Sequence, residues 1–363
     1  MKSVIAKLKA GMPGDFNPAL KVAVLDADYL IQDISHPDSA FSLKQCAQSV
    51  QAFFGDDWRE GDAVILNDPN QGATHVSQLT AVAPRFSSGV ITGWTVVRAN
   101  IPDQGGWSIG GYSPEAVDRW AEAARFVPAK ILLAGRQRRE VLDLLSLNSR
   151  TPNTTRGLAL AIAQASLSVQ PDEDSDRYLA LYTQEAERLL ERIEPLTDKQ
   201  AEGVAHIKAP ADWASPGSIK AAVRFANRRI QATLSAPTRS THPINLAEST
   251  TKDIVAFAMA AALGCDADQT DALASLLDIR IDGELLAAPM EACVGIGRET
   301  SGSALLHAVF DAIGKLAATA HQPDEAMRTW LDREALAALD WNTGALTADT
   351  LNRFLFIESE IAR

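Results

Sequence analysis

The stretch "GDAVILNDPNQGATHVSQLTAVAPRFSSGVITGWTVVRANIPDQGG" (residues 61–106) decides how the first third of the chain folds. "DAVILND" (62–68) is a short apolar run ending in turn formers, the pattern of a buried strand. "QLTAVAPRF" (78–86) and "GVITGWTVVRAN" (89–100) make a further pair of strands, joined by the Ser-Ser-Gly turn at 87–89. Two polar loops are attached to them, "NDPNQGATHVSQ" (67–78) and "RANIPDQGG" (98–106). A strand delivering a tight polar loop is a common way to present a site. Yet "RANIPDQGG" holds one good metal ligand or acid/base group, Asp103.

Outward from this stretch the reading stays α+β. "LKVAVLDADYLIQDI" (20–34) is two β-like runs around "DADY", a hairpin with Asp at the turn. "SLKQCAQSVQAFF" (42–54) places Leu43, Cys46, Val50 and Phe53 on one helical face, with Ser42 as its N-cap. From Ser113 the period changes. "SPEAVDRWAEAARF" carries Pro at a first helical position, and "AGRQRREVLDLLSLNSR" and "NTTRGLALAIAQASLSV" read as helices. "DEDSDRYLALYTQEAERLLERIE" (172–194) is a long amphipathic helix opened by acids that suit its dipole. After the linker "HIKAPADWASPGS" (206–218), a second hairpin turns near Ala226 and Asn227. The helix "TTKDIVAFAMAAALGC", the strand "LDIRIDGELL", the loop "EACVGIGRETSGS" and the helix "SALLHAVFDAIGKLAATA" follow. The expected organisation is a β-rich lobe over 1–110, a helical segment over 111–206, a second α+β lobe over 207–323 and a helical tail over 324–363. The fold is thus two β-containing lobes linked and packed by helices.

Composition narrows the function. The chain has 363 residues, 46% hydrophobic and 22% charged, with a net charge of −12. Phosphate-backbone binding needs a basic face, so neither nucleic acid nor a membrane is an expected partner. The apolar run "IVAFAMAAALGC" is too short to cross a bilayer, and "MKSVIAKLKAGMPGDF" lacks the apolar stretch of a secretory signal. A cytoplasmic protein is the expectation. The three cysteines, Cys46, Cys265 and Cys293, are widely spaced and form neither a CxxC pair nor a disulfide framework.

The polar constellations leave alternatives open. Asp68 and His75, backed by Asp103, are the residue types for a two- or three-ligand metal site or an acid/base pair. Asn-Asp-Pro followed by Gly is equally turn chemistry, with Asp68 bonding nearby backbone N–H groups and Pro69 fixing φ. "RANIPDQGGWSIGGY" (98–112) is glycine-rich, but "GGWSIGG" does not fit a P-loop and no Lys follows it. "GIGRETSGS" (295–303) either caps the next helix through Thr300, Ser301 and Ser303 or presents that helix's N–H groups to an anion, with Arg298 and Glu299 nearby. No G-x-S-x-G elbow occurs, Cys46 and Cys293 lack an adjacent His, and His307 sits on an apolar helix.

In order, these segments resemble the hydantoinase B/oxoprolinase family, which includes subunits of ATP-dependent ketone carboxylases. The family pattern over 61–106 is a strand, N-D-P, a Gly, T-H-x-x-D, two strands and A-H-H-A-D-I-G-G. "VLDADYLI" resembles the family's F-D-A-D-G-x-L hairpin, "EAARFVPAKILLAG" (122–135) its E-G-L-R-I-P-P-V-K segment, and "LNSRTP" (147–152) its N-x-R-x-P segment. Looser likenesses cover "IQATLSAP" (230–237), "PINL" (243–246) and "RETSGS" (298–303). Family members hold a divalent metal with His and Asp from the two loops. Here His75 and Asp103 remain, whereas the Asp of T-H-x-x-D is Gln78 and the two His are Asn100 and Ile101. Two ligands are too few fixed donors for tight binding, so the loop reads as the shell of a site.

The resemblance implies an auxiliary subunit of a multi-subunit, ATP-dependent, biotin-independent ketone carboxylase. It would resemble the small epsilon subunit of acetophenone carboxylase, in keeping with a chain shorter than typical members. It would help form or close a carboxylation chamber, with His75, Gln78, Arg98, Asn100, Asp103 and Gln104 as polar wall residues. Its enzyme class would be that of a ligase subunit without a complete active site. The expected partners are hydantoinase A-type and full-length hydantoinase B-type subunits, which would hold the ATP and the divalent metal; this chain would bind no cofactor tightly. The alternatives are a subunit of a metal-dependent hydantoinase or cyclic-amide hydrolase, with Asp68, His75 and Asp103 as weak metal candidates, and a non-catalytic assembly protein.

Overall fold

The computed structural model describes residues 20–101, 103–109, 113–169, 175–208, 217–263, 270–316, 339–340 and 345–346. The chain divides into two units that part at Ser175 and Asp176.

The first unit is built on seven antiparallel strands: β1 (Lys21–Asp26), β2 (Ile31–Ile34), β3 (Ala63–Leu66), β4 (Gln78–Ser87), β5 (Val90–Asn100), β6 (Ala129–Leu133) and β7 (Arg136–Gln137). Their order across the sheet is β2-β1-β5-β4-β3-β6-β7. Both faces are apolar, which is why "KVAVL" and "AVIL" run without polar alternation. Ala23, Leu25, Val64, Leu66, Val82, Trp94 and Val96 pack under helix α1 (Ala40–Phe54), against Leu43, Cys46, Ala47 and Val50. On the same side Trp94 touches Trp58 edge-on, and Trp58 touches Phe54. Val22, Val24, Ile65, Leu79, Ala81, Val97 and Ile131 face the opposite way. There they meet Leu142 and Leu145 of α3 (Arg139–Leu147) and Leu158, Ile162 and Ala163 of α4 (Pro152–Ser168). Between β5 and β6 in the chain lies a short helix, α2 (Arg119–Glu122).

The second unit has a four-stranded sheet of order β11-β10-β9-β8, from β8 (Gln200–His206), β9 (Ser218–Ala226), β10 (Arg229–Ser235) and β11 (Leu277–Asp282). In β9 and β10 buried and exposed residues alternate, so one face is dry and the other wet. Its helices are α5 (Ser175–Ile193), α6 (Glu248–Leu263), α7 (Thr270–Leu276) and α8 (Ser301–Leu316). Helix α8 packs on β8 and β9, and α6 packs on α8.

The hairpins fall where the turn residues place them. Ser88 and Gly89 both have positive φ, as do Asn227 and Arg228, the geometry of two-residue turns matched to strand twist. Several local expectations are corrected. Ser42 lies inside α1, which starts at Ala40, and its hydroxyl bonds Ser39 O at 3.1 Å. Phe53 is exposed rather than on the buried face. The helix expected from Pro114 begins only at Arg119, where Asp118 Oδ1 accepts from Ala121 N at 2.8 Å. Pro114 instead sits in a turn closed by Ala116 N on Ser113 O at 3.1 Å. Ala134 and Gly135 form the β6–β7 turn, both at positive φ, so the helix expected from there begins at Arg139. The expected lobe limit at 206/207 falls inside one sheet, since β8 pairs with β9 from Gln200–Arg224 to His206–Ser218. Most of the tail expected to be helical from Asp324 lies outside the described residues; within it, Leu339–Asp340 pairs with Ala345–Leu346 as antiparallel strand.

Candidate functional site

The end of β3, the start of β4, the end of β5 and the start of β6 lie at one end of the first sheet, because neighbouring strands are antiparallel. The segments at 67–77, 103–109 and 119–128 therefore gather there, 148–151 joins them through Ser149 and Arg150, and side-chain hydrogen bonds lace them together. Asn67 is the first hub. Its Nδ2 donates to Val76 O at 2.8 Å and Ala124 O at 2.9 Å, and its Oδ1 accepts from Phe126 N at 2.6 Å.

Asp68 is spent on structure. Its Oδ1 accepts from Asn70 N at 3.0 Å, capping the 3-10 turn Pro69–Gln71. Arg119 and Arg125 stand 3.6 and 3.8 Å from its carboxylate. The turn reading of Asn-Asp-Pro thus describes its geometry.

Asp103 is 1% exposed and tightly held. Its Oδ1 accepts from Gly105 N at 2.9 Å and from Arg150 Nη1 at 2.8 Å, and Oδ2 lies 3.1 Å from the same nitrogen. Arg150 also donates to Ser108 O at 2.9 Å and Gly106 O at 2.7 Å, and its own N–H reaches Asp103 O at 3.1 Å. One guanidinium therefore braces the whole loop. Gly106 lets it turn inward: at φ +89°, a Cβ there would sit 2.1 Å from Glu122 O. Gln104 is buried, with Nε2 on Thr155 Oγ1 at 2.9 Å.

Gln78 and Asn100 face each other across β4 and β5, Nε2 to Oδ1 at 2.9 Å, and Thr74 donates its hydroxyl to Gln78 Oε1. His75 is half-buried in the same loop, with its carbonyl accepting from Gln78 N at 3.3 Å. Ile101 joins the apolar core beneath. Among the described residues, no three His, Cys, Asp or Glu side chains are grouped as a metal would need.

Arg98 does not join this group. It is fully buried against α1, with Nε on Thr80 Oγ1 at 3.0 Å, Nη1 on Ser42 Oγ at 3.0 Å and Nη2 on Gly72 O at 2.7 Å and Cys46 Sγ at 3.3 Å. Three residues that sequence reasoning passed over are central here: Asn67, Arg119 and Arg150. The arginine of "LNSRTP" was a signal for the last; its loop partner lies 47 positions away.

Around the braced loop the surface is apolar. Trp107 is 70% exposed and Trp120 64%, with Ile109, Val117 and Leu147 also exposed. Trp107 N donates to Ala121 O at 2.8 Å, which sets the two indole-bearing segments side by side, and Arg125 stacks 5.8 Å over the Trp120 ring.

The profile of the hydantoinase B/oxoprolinase family matches residues 20–333. The chain belongs to this family. Among its family relatives, caprolactamase subunit beta of Pseudomonas jessenii is 33% identical over 123 residues, 34% of this chain and 21% of the relative. An uncharacterized protein of Methanocaldococcus jannaschii is 23% identical over 264 residues, 69% of this chain and 46% of that protein. The structure of ATP-dependent caprolactamase from P. jessenii matches with a TM-score of 0.74 and 21% identity, over 87% of this chain and 58% of that one. Nucleotide-free acetone carboxylase matches at 0.66 with 14% identity, over 84% and 44%. At those identities the likeness is one of fold. The chain spans less than half the length of these two sequence relatives.

Proposed function

We propose that this chain is a hydantoinase B-type subunit of an ATP-dependent complex that acts on a small carbonyl compound. The loop end of its first unit would form one wall of a chamber closed by partner subunits. The observation that carries this reading is the Asp103–Arg150 clamp inside an apolar rim. The carboxylate at the family's metal-ligand position is spent on a guanidinium, and two amides, Gln78 and Asn100, bond each other where family members place Asp and His. Two amides bonded to each other and a carboxylate held by a guanidinium are poor donors for a transition-metal ion, which favours anionic or imidazole ligands. The loop is braced, as a wall is, and its two exposed tryptophans would be covered by a partner in the complex.

Two chemistries are found among the relatives, lactam ring opening and ketone carboxylation. Ring opening of a cyclic amide is favoured, because the 33% identity is with a caprolactamase subunit. Carboxylation of an acetophenone-like ketone is the second reading, and rests on the acetone carboxylase fold. In either, hydantoinase A-type and full-length B-type partners would bring the ATP and metal chemistry, and Gln78, Asn100 and His75 would be wall groups of the chamber.

The test is to co-express the chain with such partners and measure assembly and ATP hydrolysis in the presence of a lactam or an aryl ketone. A stable complex, with ATP hydrolysis that rises with one of these substrates and falls when this chain is omitted, is expected. Replacing Trp107 and Trp120 together by Ser is expected to weaken assembly by roughly tenfold or more, since tryptophans commonly dominate interface energy. The melting temperature of the isolated chain should hold. ATP hydrolysis by the isolated chain, or assembly indifferent to both tryptophans, would contradict the proposal.

A further inference from the structure

In the second unit, helices α6 and α8 both start from one pair of interlocked loops. Asn245 ties them: its Nδ2 donates to Ser240 O at 3.0 Å, His242 O at 3.1 Å and Cys293 O at 2.8 Å, and its Oδ1 accepts from Ser240 N at 2.7 Å. Ile296 N reaches Pro243 O at 2.8 Å. At Gly297 the backbones touch so closely that a Cβ would lie 1.9 Å from Asn245 O. Helix α6 begins three residues beyond Asn245 and α8 four beyond Gly297, so their N-terminal ends share one region. A Cβ on Gly302 would meet Ile254 Cδ1 at 2.8 Å, which puts the first turn of α8 against the second turn of α6.

Three hydroxyls in these first turns have no hydrogen-bond partner among the described residues: Ser249 Oγ, Thr250 Oγ1 and Ser301 Oγ. They are 3%, 0% and 0% exposed. The adjoining hydroxyls are satisfied, with Thr251 Oγ1 on Leu286 O at 2.6 Å and Thr300 Oγ1 on Ile296 O at 2.7 Å. Helical side chains lean toward the N-terminus of their helix, which directs the three hydroxyls to the ends where the loops meet. Buried hydroxyls without partners are costly. The dipoles of the two helices add positive potential at this end, although the Gly302 N–H is taken by Gly297 O at 2.8 Å and the first turn of α6 carries Glu248, paired with Lys252 at 2.7 Å.

We propose that the first turns of α6 and α8 form a binding site for a small oxyanion, a carboxylate or phosphate group, held by Ser249, Thr250 and Ser301. Donor hydroxyls at the positive ends of two helices select an anion over a cation, and their near-complete burial selects a small one. The site lies wholly in the second unit and goes beyond the subunit reading, so its failure leaves that reading untouched.

The experiment titrates the full chain with inorganic phosphate and, separately, with acetate, against chloride at equal ionic strength. Thermal unfolding and calorimetry are the readouts, and the two anions distinguish a phosphate from a carboxylate ligand. The parent is expected to gain thermal stability with at least one anion beyond the chloride control. Ser301→Ala and Thr250→Val, which remove unpartnered hydroxyls, are expected to melt no lower than the parent without anion and to bind it roughly tenfold or more weakly. No response of the parent to either anion overturns the proposal whether or not a variant folds. Equal binding by parent and variants overturns it as well.

Discussion

A buried carboxylate is tolerable only with its charge matched, and Asp103 shows what that requires of one residue. Arg150 supplies the counter-charge and three further hydrogen bonds to the same loop. Arg150→Ala takes the guanidinium counter-charge from a buried carboxylate that keeps its Gly105 N–H, and should cost roughly 3 kcal/mol. Asp103→Asn should cost less, because the loop keeps the Arg150 bonds to Ser108 and Gly106. Urea unfolding of both variants checks the order, and equal costs would mean that charge is not what the clamp provides. Asn67→Ala removes acceptor and donors from three backbone groups at once, and roughly 2–3 kcal/mol of stability should go with them. Chemical denaturation measures it directly. Local chemistry was readable in the sequence: Asp68 caps a turn as Asn-Asp-Pro implies. Asn67 and Arg150 were not, because Ala124, Phe126 and Asp103 lie 47 to 59 positions away and nothing in a local pattern links them.

Among the elements, β8 is an edge strand, and edges invite unwanted pairing. Helix α8 guards it. Asp311 Oδ2 accepts from Val204 N at 3.2 Å, and Lys315 Nζ donates to Glu202 O at 2.9 Å and to Asp311 at 2.8 Å. The hydrogen bond from Lys315 holds the Asp311 carboxyl below the usual carboxylate range; partial burial opposes this and the Val204 N–H adds to it. A carboxyl lowered on folding lends stability above its unfolded value, near 3.9, and loses it as the pH falls through the folded value. Protection of the Val204 amide, corrected for intrinsic exchange, should therefore drop as the pH falls below about 4. It should be weak at every pH in Asp311→Ala, and strong protection in that variant would remove Asp311 from the account. Gly203 is where α8 crosses the strand, for a Cβ there would lie 2.0 Å from Ala308 O. Gly203→Ala should cost roughly 2–3 kcal/mol through forced separation of the two elements, measurable as a lowered melting temperature. Hairpins such as β9–β10 were legible because their turns are local. The start of α2 was not, because Pro114 serves a turn as readily as a helix.

For the whole molecule, α+β with two sheets was legible from runs of strand followed by runs of helix. The place where the units part was not. A proline-bearing stretch around residues 206–218 looks like a boundary in sequence, but the strands on either side of it are hydrogen-bonded to each other, and the division falls at Ser175. The strand order of the first sheet also governs how this chain reaches its native state. β4 and β5 are joined by a two-residue turn and can zip together at once. β1, by contrast, pairs Lys21 with Arg98, across everything between them. Contacts so distant in sequence close late and slowly. During synthesis the β1–β2 hairpin must wait for β5 to emerge, holding Val22, Val24 and Leu25 unburied in the meantime. β3 meets its second neighbour later still, since β6 follows β5 in the chain, so the sheet closes from its β4–β5 centre outward.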